Sequence, residues 1–161
     1  MSGKAGLLVD VIREADGWPD EPDLVRISEA AVAAACAVAD LDVPEGAGIA
    51  VLFADDARVQ SLNAGFRDKD RPTNVLSFPA PPDAMDDGAP HLGDVVLALE
   101  TVTAEANAEG KPLDHHIAHL VMHGFLHIMG YDHMEEAEAE EMEQVESSAL
   151  ASLGIADPYA P

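Results

Sequence analysis

Runs of apolar residues predict four β-strands in this chain. The segments 7–12 (LLVDVI) and 49–54 (IAVLFA) are short apolar runs, and the second has no polar residue, so we expect it inside a sheet with both faces buried. The segment 73–79 alternates polar and apolar residues between two prolines. Because proline has no N–H to donate, that pattern predicts a short strand or a strand at an edge. The segment 92–100 is expected to pair antiparallel with it across the loop 80–90, which is rich in Pro, Asp and Gly.

Composition and apolar spacing predict five helices. They cover residues 24–40, 55–66, 101–109, 113–129 and 135–153. In the last helix, Met142, Val145, Ala149 and Leu153 recur at spacings of three and four, which predicts a face turned towards the core and a solvated glutamate-rich face opposite. A functional acid among these glutamates stays open as an alternative, because the helix directly follows the histidine-rich segment 123–133. These elements predict the α+β class, with a small mixed four-stranded sheet packed with about five helices in one domain over residues 1–161.

The composition is that of a soluble globular protein. Hydrophobic residues make up 48% and charged residues 24% of the 161 positions. The single cysteine, Cys36, excludes a disulfide within the chain and indicates a reducing compartment. No segment approaches the roughly 18–20 apolar residues of a membrane-spanning helix. We therefore expect a cytoplasmic protein without a membrane partner.

The charge balance is strongly negative. Eight Lys and Arg against 31 Asp and Glu give a net charge of −23. Taken alone, this balance argues against a nucleic-acid partner, because both surfaces would be negative. Three of the eight basic residues nevertheless fall together, as Arg67, Lys69 and Arg71 in FRDKDRPTNVLSFP. This cluster is compatible either with a solvated surface loop or with a local basic patch on an acidic protein.

The segment HGFLHIMGYDH, residues 123–133, has the spacing of a metal site. His123 and His127 are four residues apart, so on a helix they lie on one face, one turn apart. Gly130 is placed to end that helix, and the returning chain would bring His133 to the same metal. Three protein nitrogens leave the fourth position of a tetrahedral metal open for water, as in catalytic zinc sites. The sequence therefore predicts a three-histidine metal site at the end of a long helix.

The same spacing occurs in the metzincin proteases, with one difference. Those proteases carry a glutamate after the first histidine, where it activates the zinc water, and this chain has Gly124 there. A peptidase is therefore disfavoured, although the metal site is retained. His119 lies one turn before His123 and is expected to be its neighbour rather than a ligand.

Three separate motifs resemble the YbeY family of bacterial rRNA maturation factors. They are HGFLHIMGYDH, RDKDRPTNVLSFP and HLGD at 91–94, and the resemblance extends from about residue 24 to Tyr159. It implies an α+β fold, with a four-stranded sheet packed against helices and one zinc ion held by His123, His127 and His133. It also implies a metal-dependent endoribonuclease specific for single strands, which acts on the 3′ end of 16S ribosomal RNA and in ribosome quality control.

The resemblance also implies roles for individual residues and partners. Arg67 matches the arginine that the family uses in RNA handling or catalysis, so we take Arg67 and His123 as catalytic residues. We expect Arg67, Lys69 and Arg71 to contact phosphates of the RNA, because phosphodiester cleavage needs positive charge near the reacting group. Asn74 stands where many members have aspartate. The implied partners are single-stranded 16S rRNA and the ribosome or its small-subunit proteins, with no nucleotide cofactor.

Two other functions remain open from the sequence. One is the metzincin-like peptidase that Gly124 disfavours. The other is a non-catalytic, zinc-stabilised ribosome-assembly factor, in which a side chain from elsewhere in the chain would fill the open coordination position and make the zinc structural.

Overall fold

The computed structural model of the chain describes residues 7–67, 73–81, 83–86, 88–131 and 135–159, without the side chains of residues 66, 67 and 86. Within these ranges the elements follow one another as β1 (Leu8–Arg13), α1 (Glu21–Ala39), β2 (Gly48–Ala54), α2 (Asp56–Arg67), β3 (Val75–Pro79), β4 (Met85–Asp86), β5 (Ala89–Ala98), α3 (Leu99–Glu109), α4 (Leu113–Ile128) and α5 (Glu136–Ser152). The five predicted helices are present, and their ends differ from the predicted ends by a few residues.

The sheet is mixed, with the strand order β1-β2-β5-β3. Strand β2 lies parallel to both β1 and β5, and β3 runs antiparallel to β5 at the other edge. The predicted central position of β2, the edge position of β3 and its antiparallel pairing are thus confirmed. The expected loop between β3 and β5 contains the short strand β4, which pairs with the first residues of β5 and adds a fifth strand to the predicted four.

Helices cover both faces of the sheet because β2 and β5 are apolar on both sides. On one face Val51 and Phe53 belong to the main core, together with buried residues of α1, α4 and α5. On the other face Ala54 and Val96 form a smaller cluster with Val59 of α2. None of the helices in the described ranges is long and apolar enough to cross a membrane.

Helix α5 packs on the core through a face that is partly the predicted one. Met142 and Ala149 are buried and Val145 is partly buried, as the spacing predicts. Leu153 is 36% exposed, so its predicted place in the core is wrong. The reason is that α5 ends at Ser152 and the chain turns away there.

Gly93 of the HLGD segment allows α4 to approach the sheet closely. A Cβ atom at this position would lie 2.6 Å from the carbonyl oxygen of Phe78 on β3 and 3.0 Å from Cδ1 of Ile128, the last residue of α4. The absence of a side chain therefore brings the end of α4 down onto the β3–β5 pair.

We predict that Gly93→Ala lowers the free energy of unfolding by about 1–3 kcal/mol, because the added methyl group overpacks this contact. Gly65→Ala is the matched control. Gly65 lies inside α2 with no atom of the described residues within 4 Å of an added Cβ, so the same change there should raise stability by about 0.5–1 kcal/mol. Chemical denaturation of both variants tests this, and equal effects of the two substitutions would contradict it.

Candidate metal centre

Helix α4 carries a line of four histidines on its least buried face, of which His115 is the first. His119, His123 and His127 follow one another at every fourth residue, and their neighbours along the helix are largely buried apolar residues. The ring centroids of His119 and His123 lie 6.2 Å apart, and those of His123 and His127 lie 4.6 Å apart. The predicted arrangement of these side chains on one face is confirmed.

His123 and His127 bring equivalent nitrogens within hydrogen-bonding distance of each other. Their Nε2 atoms lie 3.1 Å apart. Two imidazoles bound to one tetrahedral zinc at about 2.0–2.1 Å would hold their nitrogens about 3.3 Å apart. The pair therefore has the donor chemistry and nearly the separation that a shared metal ion requires.

Helix α4 ends at Ile128, within one residue of its predicted end. Gly130 has a positive φ of 103°. Its N–H donates to the carbonyl oxygen of His127, and the N–H of Tyr131 donates to that of Leu126. This is the Schellman pattern, in which a glycine in a left-handed conformation satisfies the last carbonyl groups of a helix. The chain thus turns back three residues before the third predicted ligand, His133, which lies outside the described residues.

A buried glutamate of α5 stands behind the histidines. Glu146 has no exposed surface. Its Oε2 lies 2.7 Å from Nδ1 of His123, and its Oε1 lies 3.0 Å from Nε2 of His119. Oε1 also accepts a hydrogen bond from the hydroxyl group of Tyr159, near the end of the described chain. We refer to Glu146, His119, His123 and Tyr159 as the Glu146 network.

The hydrogen bonds of this network keep Glu146 ionised. Burial alone would raise the pKa of its carboxyl group, but the hydrogen bonds from His119 and His123 outweigh burial and lower that pKa to about 2. Burial and the neighbouring carboxylate raise the pKa of Tyr159. At neutral pH the glutamate is therefore an acceptor and the tyrosine hydroxyl a donor.

This carboxylate also determines which nitrogen of His123 can bind a metal. An ionised carboxylate only accepts hydrogen bonds, so the facing Nδ1 of His123 must carry a proton. In the neutral ring Nε2 then presents its lone pair on the side of His127. Metal-ligating histidines commonly donate their other nitrogen to a carboxylate in this way.

A different set of side chains could also hold a metal ion. The ligand atoms of His119, His123 and Glu146 all lie within 4.8 Å of one another. The carboxylate already accepts hydrogen bonds from both rings and from Tyr159, however. A metal there would have to displace these donors. We therefore favour the Nε2 side of His123 as the metal position and the Glu146 network as its support.

Gly124 fills the position where a metzincin has its glutamate, and it faces the sheet. A Cβ atom on Gly124 would lie 2.7 Å from Cγ1 of Val95 and 3.0 Å from Oγ of Ser77. The Ser77 hydroxyl donates to the carbonyl oxygen of Gly124 at 3.0 Å, which ties β3 to α4 beside His123. Position 124 thus has no room for a catalytic base, which strengthens the argument against a peptidase.

The predicted phosphate-binding residues lie mostly beyond the described part of the chain. Arg67 is the last residue of α2, with its side chain outside the description, and Lys69 and Arg71 also lie outside it. Each Lys or Arg side chain that the structure does describe forms an ion pair: Arg13 with Asp16, Arg26 with Asp23, Arg58 with Glu14 and Lys111 with Glu109. Arg67, Lys69 and Arg71 therefore remain the basic residues that we predict to contact phosphates.

The sequence did not single out two members of the Glu146 network, Glu146 itself and Tyr159. Glu146 falls four residues after Met142 and three before Ala149, so its spacing places it on the apolar stripe of α5. That spacing was a signal that this glutamate differs from its exposed neighbours. Nothing in the sequence distinguishes Tyr159 in this way.

His116 of α4 lies outside the Glu146 network. Its ring bonds Glu105 of α3 at 2.9 Å and links α4 to α3.

Comparisons with known proteins agree with the three motifs. A family model described as Endoribonuclease YbeY matches residues 20–154. The chain belongs to the endoribonuclease YbeY family. Its resemblance to YbeY proteins, predicted from the motifs, is thereby confirmed.

Curated YbeY relatives match nearly the whole chain. The Endoribonuclease YbeY of Chelativorans sp. (strain BNC1) is 56% identical over 89% of this chain and 87% of the relative. That of Azorhizobium caulinodans is 54% identical over 94% and 96%. That of Rhodopseudomonas palustris (strain ATCC BAA-98 / CGA009) is 51% identical over 99% and 85%.

A solved structure supports the fold. The solution structure of TM1509 from Thermotoga maritima matches 96% of this chain and 100% of that protein with a TM-score of 0.57. At 20% sequence identity this similarity concerns the fold alone. Together with the elements described above, it confirms the predicted α+β class.

We predict that Gly124→Glu does not convert this YbeY-family protein into a peptidase. The new side chain would collide with Val95 and Ser77, so the variant should melt at a lower temperature than the parent and should not cleave casein with zinc added. Thermal unfolding and a casein assay on parent and variant measure both effects. Metal-dependent casein cleavage by the variant would contradict this account of position 124.

Proposed function

We propose that this chain is a cytoplasmic, zinc-dependent endoribonuclease specific for single-stranded RNA. Its substrate would be 16S ribosomal RNA near the 3′ end, in maturation and in quality control of the ribosome. The observation that carries the proposal is the Nε2 pair of His123 and His127, 3.1 Å apart, with the opposite nitrogen of His123 held by buried Glu146. Family membership supplies the reaction class.

His123, His127 and His133 are the proposed ligands of the metal. Imidazole nitrogens suit zinc, and three of them leave a position for water or for substrate. When bound, the metal would lower the pKa of a water molecule and polarise a phosphoryl oxygen, so that cleavage does not require a carboxylate base at position 124. The chain's own part is to hold the two α4 imidazoles in fixed orientations.

Arg67 is the proposed stabiliser of the charge that gathers on the phosphate during cleavage. A guanidinium group offers paired N–H donors that match phosphate oxygens. The segment that begins at Arg67 leads into β3, and β3 is attached to α4 through Ser77 and Gly124, directly beside His123. This connection supports the proposal that the segment 67–71 and the metal act on the same RNA molecule. Lys69 and Arg71 would hold neighbouring phosphates.

The acidic surface implies that RNA is delivered by a partner. The net charge is −23, and the basic side chains described in the structure are paired with carboxylates. Free RNA would therefore be repelled over most of the surface. We propose that the ribosome, or a protein of its small subunit, brings the RNA end to the site.

We predict that His127→Ala loses both its metal and RNA cleavage, whereas Arg67→Ala keeps its metal and cleaves about 10²–10³-fold more slowly. The expected loss is that of removing one donor aimed at a developing negative charge. The substrate is a single-stranded RNA carrying the 16S 3′ end, with metal content determined for every preparation. Arg26→Ala, which removes an exposed arginine paired with Asp23 on α1, is the matched control and should cleave like the parent.

Equal cleavage by the parent, His127→Ala and Arg67→Ala would mean that the activity belongs to a contaminant. The chain would then be better described as a zinc-stabilised, non-catalytic ribosome-assembly factor. The position of the site, where α4, α5 and residue 159 meet, would suit a stabilising metal in that case.

We predict a shallow salt dependence of binding to free single-stranded RNA. About three phosphate contacts at about −0.7 each give a slope of roughly −2 in a plot of log affinity against log salt concentration. Lys69→Ala should reduce the slope by about 0.7. Fluorescence anisotropy at several salt concentrations measures both values. Tight binding with a steep slope would refute delivery by a partner.

A further inference from the structure

The chain after α5 returns along that helix to the metal centre. Gly154 has a positive φ of 77°, its N–H donates to the carbonyl oxygen of Ala151, and the N–H of Ile155 donates to that of Leu150. This pattern ends α5 with a reversal of direction. The residues that follow therefore run back beside the helix and do not extend from it.

Asp157 fixes the returning segment at the level of Glu146. Its Oδ1 accepts a hydrogen bond from the Ser147 hydroxyl at 2.8 Å and another from the N–H of Tyr159 at 2.9 Å. Ser147 is the next residue after Glu146, so these two bonds place Tyr159 beside the buried carboxylate.

Tyr159 contacts two members of the Glu146 network directly. Its hydroxyl group donates to Oε1 of Glu146, and its ring meets that of His119 edge to face, with centroids 5.7 Å apart and planes at 90°. Oε1 thus receives two donors, while Oε2 is left to His123. Hydrogen bonds at both oxygens restrain the carboxylate from rotating, and its bond to Nδ1 restrains the His123 ring in turn.

We propose that residues 155–159 form part of the metal centre, with Tyr159 and Glu146 as positioning residues that hold Nε2 of His123 towards His127. This inference rests on the proposed metal site at His123 and His127. It adds that a segment remote in sequence from the histidines sets their affinity for the metal. Neither residue touches the metal or the RNA in this arrangement.

The test is zinc affinity of the metal-free full-length protein, measured by competition with a chromophoric chelator. Loss of an outer hydrogen-bond partner typically weakens metal binding about 10–100-fold. Glu146→Gln should lose affinity within that range, and Tyr159→Phe should lose about 10-fold. Glu105→Gln is the matched control, because Glu105 also bonds a histidine of α4, His116, but has no contact with the Glu146 network among the described residues.

A second readout reports the orientation of His123 without metal. Nitrogen NMR of the histidine rings should find the proton of His123 on Nδ1 in the parent and in Glu105→Gln. In Glu146→Gln the proton should distribute between the two nitrogens, because the carboxylate that fixes it is gone. A residue that only adds stability would not change this distribution.

The outcomes separate this inference from the function on which it rests. If the parent binds no zinc, or if His127→Ala binds it as tightly as the parent, the proposed metal site is wrong and the inference falls with it. If His127→Ala loses zinc but Tyr159→Phe binds like the parent, the inference alone is overturned. Equal losses in Glu105→Gln and Glu146→Gln would also overturn it. Should Glu146→Gln fail to fold, Tyr159→Phe decides.

Discussion

Helix α4 must satisfy two demands at once, and the rest of the structure follows from them. It is the centre of the main core, with Ile117, Val121 and Phe125 fully buried, and it also carries the histidines. Both are possible because His119, His123 and His127 occupy every fourth position and so share one face. The opposite side has to lie tightly on the sheet, which explains the requirement for glycine where α4 meets β3 and β5.

Burial of Glu146 imposes a second constraint, on how α5 and the chain after it pack against α4. A carboxylate without exposed surface is costly unless its oxygens receive hydrogen bonds. Glu146 meets this requirement with His119, His123 and Tyr159, which come from α4 and from the chain after α5. Helix α5 therefore cannot shift along α4 without leaving the charge unpaired. The same bonds that stabilise the packing also orient the imidazole of His123.

Local patterns predicted most of this architecture, and contacts between distant segments account for what they missed. Residues close together in sequence were enough to predict the central strand β2, the edge strand β3 and the turn at Gly130. For Glu146 the spacing indicates only a position on the apolar face of α5, and the hydrogen bonds with α4 and Tyr159 that make its burial possible come from segments distant in sequence. The short strand β4 was missed for a related reason, since two residues give no periodicity and their pairing depends on β5.

The position of Glu146 also bears on how an acidic protein can act on RNA. A net charge of −23 works against a polyanionic substrate, and every additional carboxylate near the site would increase the repulsion. Glu146 lies on the Nδ1 side of His123, whereas the proposed metal lies on the Nε2 side, so the imidazole ring separates this negative charge from the substrate. Its field makes the ring a better donor to a cation, and its burial keeps it out of contact with phosphates. Under the proposed function, the charges offered to the RNA would be those of the metal and of Arg67, Lys69 and Arg71, and the carboxylate of Glu146 would not oppose them.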